Sequence, residues 1–125
     1  FHGEHYDTIG GLADIAPTIF SILHRPAPAL WQGYSLFRND RMARTYFFTP
    51  WSDFLFGYRE GDLKFIYNAT IGTTEIYDLR QDPLETTNLA AQMSEHIVSG
   101  HESLAAWVQS QNRFFTQLLS EPTAQ

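Results

Sequence analysis

A chain of 125 residues, 43% hydrophobic and 15% aromatic, is long enough to bury one core and too apolar to be a disordered tail. Fourteen acidic against eight basic residues leave a formal charge of −6, which repels phosphates and argues against nucleic acid as a partner. The absence of cysteine removes disulfides, a thiolate nucleophile and thiolate-bound zinc, and no apolar run approaches the roughly 18 residues of a membrane helix.

Residues 1–12 are polar, and Gly10-Gly11 offers a turn before the first periodic segment. The spacing of Ile15, Ile19, Ile22 and Leu23 predicts an amphipathic helix from about Asp14 to His24. Asp14 is its expected cap, Pro17 sits in the first turn where no amide partner is needed, and Pro26 and Pro28 stop it. Residues 25–42 read as an irregular connection anchored by Trp31 and Leu36. Four β-branched or aromatic stretches follow, at 45–49, 54–59, 63–67 and 74–79. The gaps between the last three, Glu60-Gly61-Asp62 and 68–73, are too short for a parallel crossover and predict antiparallel hairpins. After Pro83 the pattern turns helical, with a short turn near 89–96 and a longer helix from about Glu102 to Ser120. Leu104, Trp107, Val108, Phe115, Leu118 and Leu119 share a face of that helix, and Pro122 ends it. The expected fold class is α+β: a small antiparallel sheet of three to four strands packed against a long C-terminal helix and preceded by one shorter helix.

Most polar residues have plain structural explanations. His24, His96 and His101 are scattered without a partner at metal-ligand spacing and read as surface or helix-end residues. The loop after Tyr77-Asp78 is rich in oxygen ligands (Asp82, Glu85, Asn88) but lacks the EF-hand pattern, so turn formation at Asp82-Pro83 and capping by Thr87 or Asn88 explain it better than calcium. Asn68-Ala69-Thr70 is a formal glycosylation sequon in an expected hairpin turn. The aromatic series Tyr46, Phe47, Phe48, Trp51, Phe54, Phe56 and Tyr58 reads as core, with a carbohydrate-stacking surface as the alternative. Arg59 and Lys64 flank the Gly61 turn and are the candidates for contact with an anionic ester, against the plainer reading of solvated hairpin cations.

Three segments in order resemble the C-terminal end of the sulfatase family. The first is Asp14-Ile15-Ala16-Pro17-Thr18-Ile19, with Leu23 behind it and Gly33-Tyr34-Ser35-Leu36 after a proline-rich spacer. The second is Arg59-Glu60-Gly61-Asp62-Leu63-Lys64-Phe65-Ile66, and the third is Asp78-Leu79 followed by Asp82-Pro83-Leu84-Glu85-Thr86-Thr87-Asn88-Leu89. Together they cover about residues 9–90. Gly10-Gly11 before the first segment also resembles the lipoteichoic acid synthase branch, whose bacterial, membrane-anchored members carry a sulfatase-like domain outside the membrane.

The resemblance implies that 1–42 close a larger sulfatase-like α/β domain and that 43–125 form a C-terminal sheet-and-helix subdomain. It implies a parent of the alkaline phosphatase superfamily, a sulfuric or phosphoric ester hydrolase or transferase. Such a parent holds a divalent metal (Ca, Mg, Mn or Zn) through Asp and His and uses formylglycine, Thr or Ser as nucleophile. No nucleophile or principal metal motif matches in this chain, so no catalytic residue and no cofactor are expected within it. Its expected partners are an upstream catalytic domain of the same polypeptide and the parent's ester substrate, with no membrane contact by this segment and a periplasmic or extracytoplasmic location. A chain that opens on Phe1 fits that expectation of a piece cut from a longer enzyme, inactive alone. Phe1-His2-Gly3-Glu4-His5 differs by one residue from the family's Asp-His-Gly-Glu metal segment. Phe1 stands where the ligand Asp would, however, so His2, Glu4 and His5 are remote metal candidates beside the reading of a solvated linker. The alternative from a different class is a free-standing α+β binding or interaction module.

Overall fold

The structure, a computed structural model, describes residue 3 and residues 5–120. A 3-10 turn at Leu12–Asp14 leads into α1 (Ile15–Ile22), shorter than the expected helix. Four strands follow: β1 (Arg44–Pro50), β2 (Phe54–Glu60), β3 (Leu63–Asn68) and β4 (Thr73–Asp78). The last described element is α2 (Glu95–Ser120), a 26-residue helix that begins about two turns before the expected start near Glu102 and follows directly on the short turn expected near 89–96. The sheet is a meander in the order β1-β2-β3-β4, every pair antiparallel, as its short connections dictate. Gly61 and Gly72 close the β2–β3 and β3–β4 turns with φ of +58° and +71°, a region that side-chain-bearing residues rarely adopt.

Alternation sorts the side chains. Tyr46, Tyr58, Phe65 and Ile76 lie opposite one another across the four strands on the face that meets α2. Phe65 and Ile76 are fully buried, and Leu104 from α2 and Tyr58 complete the core. The helix reaches the sheet at Gly100, whose missing side chain leaves room for the Phe65 ring; a Cβ there would stand 2.3 Å from that ring. His101, expected at the surface, instead stands edge-on to Phe65, packs on Tyr67 at 4.5 Å and shares a 3.0 Å hydrogen bond with Thr74. The reason is its position next to Gly100, where helix and sheet are closest. Farther along, Trp107 stacks on Tyr46 with their rings 2° from parallel. Arg44 bridges β1 to α2 through the Ser103 hydroxyl and is paired with Glu60 at 2.6 Å. The expected apolar face of α2 is only partly used, since Phe115, Leu118 and Leu119 remain exposed.

The two outer strands have different surroundings. Three outward backbone groups of β4 are satisfied from the following loop: Asn88 Oδ1 accepts from the Ile76 amide, its Nδ2 donates to the Thr74 carbonyl, and the Leu89 amide donates to the Ile76 carbonyl. One side chain and one amide thus replace a fifth strand on that side. The loop is fixed by its own carboxylates, as its composition indicates. Asp78 accepts from the Arg80 and Gln81 amides, and Asp82 from the Thr86 hydroxyl and the Thr87 amide.

Gly100→Ala is expected to lower stability by about 1–3 kcal/mol through overpacking against Phe65. A helix propensity effect alone has the opposite sign, a gain of about 1 kcal/mol, so chemical denaturation distinguishes the two; a stabilised variant would contradict the Gly100–Phe65 contact. Asn88→Ala is expected to cost about 2 kcal/mol in the same measurement, because it strips partners from β4.

Candidate functional site

The N-terminal segment passes close to the β2–β3 turn and leaves a recess of about 620 Å³ lined by residues 5–10, Arg59, Gly61 and Asp62. Two of the candidates read from the sequence meet here, His5 and Arg59. Arg59 is exposed and donates through Nε to the Gly61 carbonyl at 3.0 Å, which fixes the start of its guanidinium over the turn. Its terminal nitrogens have no acceptor among the described residues. His5 lies 2.9 Å from Asp7, both well exposed. Asp7, Thr8 and Asp62 also line the recess, and nothing in their local sequence marked them, because they are brought in by the path of the segment past the turn. The guanidinium fork offers donors to a small anionic or hydroxyl-rich group, and the carboxylates of Asp7 and Asp62 beside it offer acceptors to hydroxyls and repel an anion that does not sit on the fork itself.

Lys64 does not join it. Although Lys64 is the cross-strand neighbour of Arg59, its ammonium donates to both carboxylate oxygens of Glu85, at 2.7 and 2.6 Å, and lies 5.6 Å from the centre of the Phe47 ring. Glu85 is held at φ +55°, a left-handed conformation that costs a non-glycine residue of order 1 kcal/mol, and the ion pair helps to keep it there. Tyr77, opposite Lys64, donates its hydroxyl to Glu75; burial and that carboxylate push the phenol up to about 12. This patch of charges is therefore satisfied within the chain.

The segment that forms the recess wall is anchored by Asp14. Its carboxylate does not cap α1 as the sequence suggested. It accepts instead from the Gly11 amide at 2.9 Å, the Tyr34 amide at 2.8 Å and the Arg41 guanidinium at 2.8 Å, joining the start of α1 to residues 20 and 27 positions further along the chain. Arg41 completes the junction by donating to the carbonyls of Ile9, Tyr34 and Ser35. Burial alone would raise the Asp14 pKa, but the hydrogen bonds from Arg41, Gly11 and Tyr34, with the Arg41 charge, outweigh it and hold the carboxyl below its ordinary 3.8.

Among the described residues, no three His, Asp or Glu side chains gather where a cation can sit. The remote metal candidates His2 and Glu4 lie outside the described residues, and His5 is engaged with Asp7.

No family model matches the sequence, and no curated protein sequence matches it. Its fold is shared with solved sulfatases. BT4656, solved with its substrate D-glucosamine-2-N,6-O-disulfate, superposes with a TM-score of 0.59 at 22% identity over 83% of this chain and 24% of that one. BT1596, a 2-O GAG sulfatase, gives 0.60 at 18% identity over 83% of this chain and 26% of its own. A Bacteroides thetaiotaomicron protein assigned to the sulfatases gives 0.61 at 20% identity, over 83% and 25%. The chain thus spans about a quarter of the length of the structures it resembles.

The depressed pKa of Asp14 has a definite pH signature. A carboxylate with a folded pKa below its unfolded value contributes stability that is complete above the unfolded value and is lost as pH falls through the folded one. Melting temperature is therefore expected to fall as pH drops below about 3.8, and Asp14→Asn is expected to be less stable at neutral pH and to show a shallower acid slope. An unchanged slope would mean that the Asp14–Arg41 junction does not contribute in solution.

Proposed function

We propose that this chain is the C-terminal subdomain of a sulfatase-like ester hydrolase, with residues 1–42 closing the larger α/β domain and 43–125 forming the accessory sheet and helix. The observation that carries the reading is the match of one continuous α+β unit, over 83% of this chain, to about a quarter of several sulfatases. The order of the three sequence segments supports the C-terminal placement. On this reading the nucleophile and the divalent metal belong to the rest of the parent polypeptide, which holds them through its own Asp and His residues. This chain's role is to supply one rim of the cleft, and a location outside the cytoplasm follows from the family resemblance.

Arg59 is the residue assigned to that rim. Its terminal guanidinium nitrogens are available in the recess, whereas Lys64 is neutralised by Glu85 and is withdrawn from the role that the sequence suggested for it. A sulfated sugar is the substrate class favoured, because BT4656 was solved with one and because a sulfate ester carries its charge on three oxygens, any two of which can accept together from a guanidinium fork.

Two outcomes test the proposal. The intact gene product is expected to release sulfate from a sulfated monosaccharide, and chelation of its metal is expected to abolish the activity. In that protein Arg59→Ala is expected to raise KM about 3- to 10-fold with little change in kcat, the pattern of an exposed charge that binds substrate and transition state alike, while Lys64→Ala leaves KM within about twofold. An intact product that hydrolyses neither sulfate nor phosphate esters would return the chain to the class of binding modules.

A further inference from the structure

We propose that the Arg59 recess selects among sulfate esters by charge. It takes a sugar with one sulfate flanked by hydroxyls and turns away one with a second anion beside the first, and Asp62 is the residue that discriminates. The class of ligand rests on the proposed function; the recess, its charges and their separation are features of this chain.

The walls of the recess are held in place. The β2–β3 turn is pinned on both sides, because the Gly61 amide donates to the Ala43 carbonyl at 3.3 Å and the Leu79 amide donates to the Asp62 carbonyl at 2.7 Å. Both bonds use the backbone alone, so a change of the Asp62 side chain leaves the turn its fastenings. The opposite wall, residues 5–10, is tethered where the Arg41 guanidinium donates to the Ile9 carbonyl at 3.1 Å. A recess of about 620 Å³ is within the range of pockets that hold small organic ligands.

The charges inside do not cancel one another. Arg59 commits its Nε to the Gly61 carbonyl, and its terminal nitrogens meet no acceptor among the described residues. Asp62 lines the same recess, yet among the described residues its carboxylate accepts no hydrogen bond and joins no ion pair. The fork and the carboxylate therefore stand apart, each with its bonding capacity unused. Such a pair complements a ligand with an anion at one end and hydroxyl donors at the other.

The balance of charge sets the selection. Two carboxylates, Asp7 and Asp62, accompany one guanidinium, and Asp7 already stands 2.9 Å from His5. With one sulfate on Arg59, hydroxyls on the neighbouring carbons can donate to Asp62. A second sulfate or a sugar carboxylate in their place meets a like charge, with the formal −6 of the whole chain behind it. Arg59 and Asp62 are exposed, so the discrimination is modest and weakens as salt screens it.

Titration calorimetry on the intact gene product tests this with two probes. One is D-glucosamine-2-N,6-O-disulfate, the compound solved with BT4656; the other is N-acetyl-D-glucosamine-6-O-sulfate, in which a single anion remains. The monosulfate is expected to bind about 3- to 5-fold more tightly at low salt, and the ratio to approach one at about 0.5 M salt. Asp62→Asn keeps an acceptor oxygen and removes the charge, so it is expected to leave the monosulfate Kd within about twofold and to tighten the disulfate about threefold. Asp62→Ala removes the acceptor as well and is expected to weaken the monosulfate about threefold. A merely structural Asp62 would shift both probes together and leave their ratio unchanged. Equal affinities in the unaltered protein, or a ratio that Asp62→Asn does not move, overturn the proposal. Sulfate release is assayed on the same samples: preference without turnover supports the selection and sinks the proposed function, turnover without preference does the reverse, and binding of neither probe overturns both.

Discussion

The contact between Gly100 and the Phe65 ring sets the rest of the architecture, because it fixes how near α2 can come to the sheet. Phe65 is fully buried on a central strand, so the helix must present a bare backbone at that point or stand off from it. Once the helix is seated there, its neighbours fall into place: Leu104 closes the core one turn on, His101 reaches Thr74, and Trp107 comes down over Tyr46. The direction of α2 then decides which edge of the sheet is overshadowed and which is left to the loop.

A second, independent anchor organises the N-terminal part. Asp14 and Arg41 gather Ile9, Gly11, Tyr34 and Ser35 around one ion pair, and the segment that walls the Arg59 recess is suspended from it. Charges that the sequence left free for substrate are differently distributed in space. Arg59 is tied to the turn by a single hydrogen bond, while Lys64 is held by a bidentate pair whose acidic partner is 21 residues away.

Local patterning carried most of the fold. The four strands, their antiparallel sense and the long last helix follow from β-branched and aromatic clustering, short connections and apolar spacing. The turn at Asp82-Pro83 was likewise visible, and the Asp82 carboxylate fixes it by accepting from the Thr87 amide five positions on. What could not be read depends on long-range partners. Asp14 looked like a helix cap because its sequence neighbours are a helix start, and only the fold brings Arg41 to it. His101 looked like a surface residue because nothing adjacent reveals that the next-door glycine lets the sheet approach. Lys64 and Arg59 are equivalent in the hairpin sequence, and the ion pair with Glu85 gives Lys64 surroundings that the sequence did not reveal.

The use of Asn88 at the β4 edge narrows what can stand there. Its amide serves as acceptor and donor at once, a pairing that an amide side chain offers from one planar group. An aspartate of the same shape would set a carboxylate oxygen against the Thr74 carbonyl, replacing an attraction with a repulsion, so a change of one atom at position 88 would unfasten the loop from that side of the sheet.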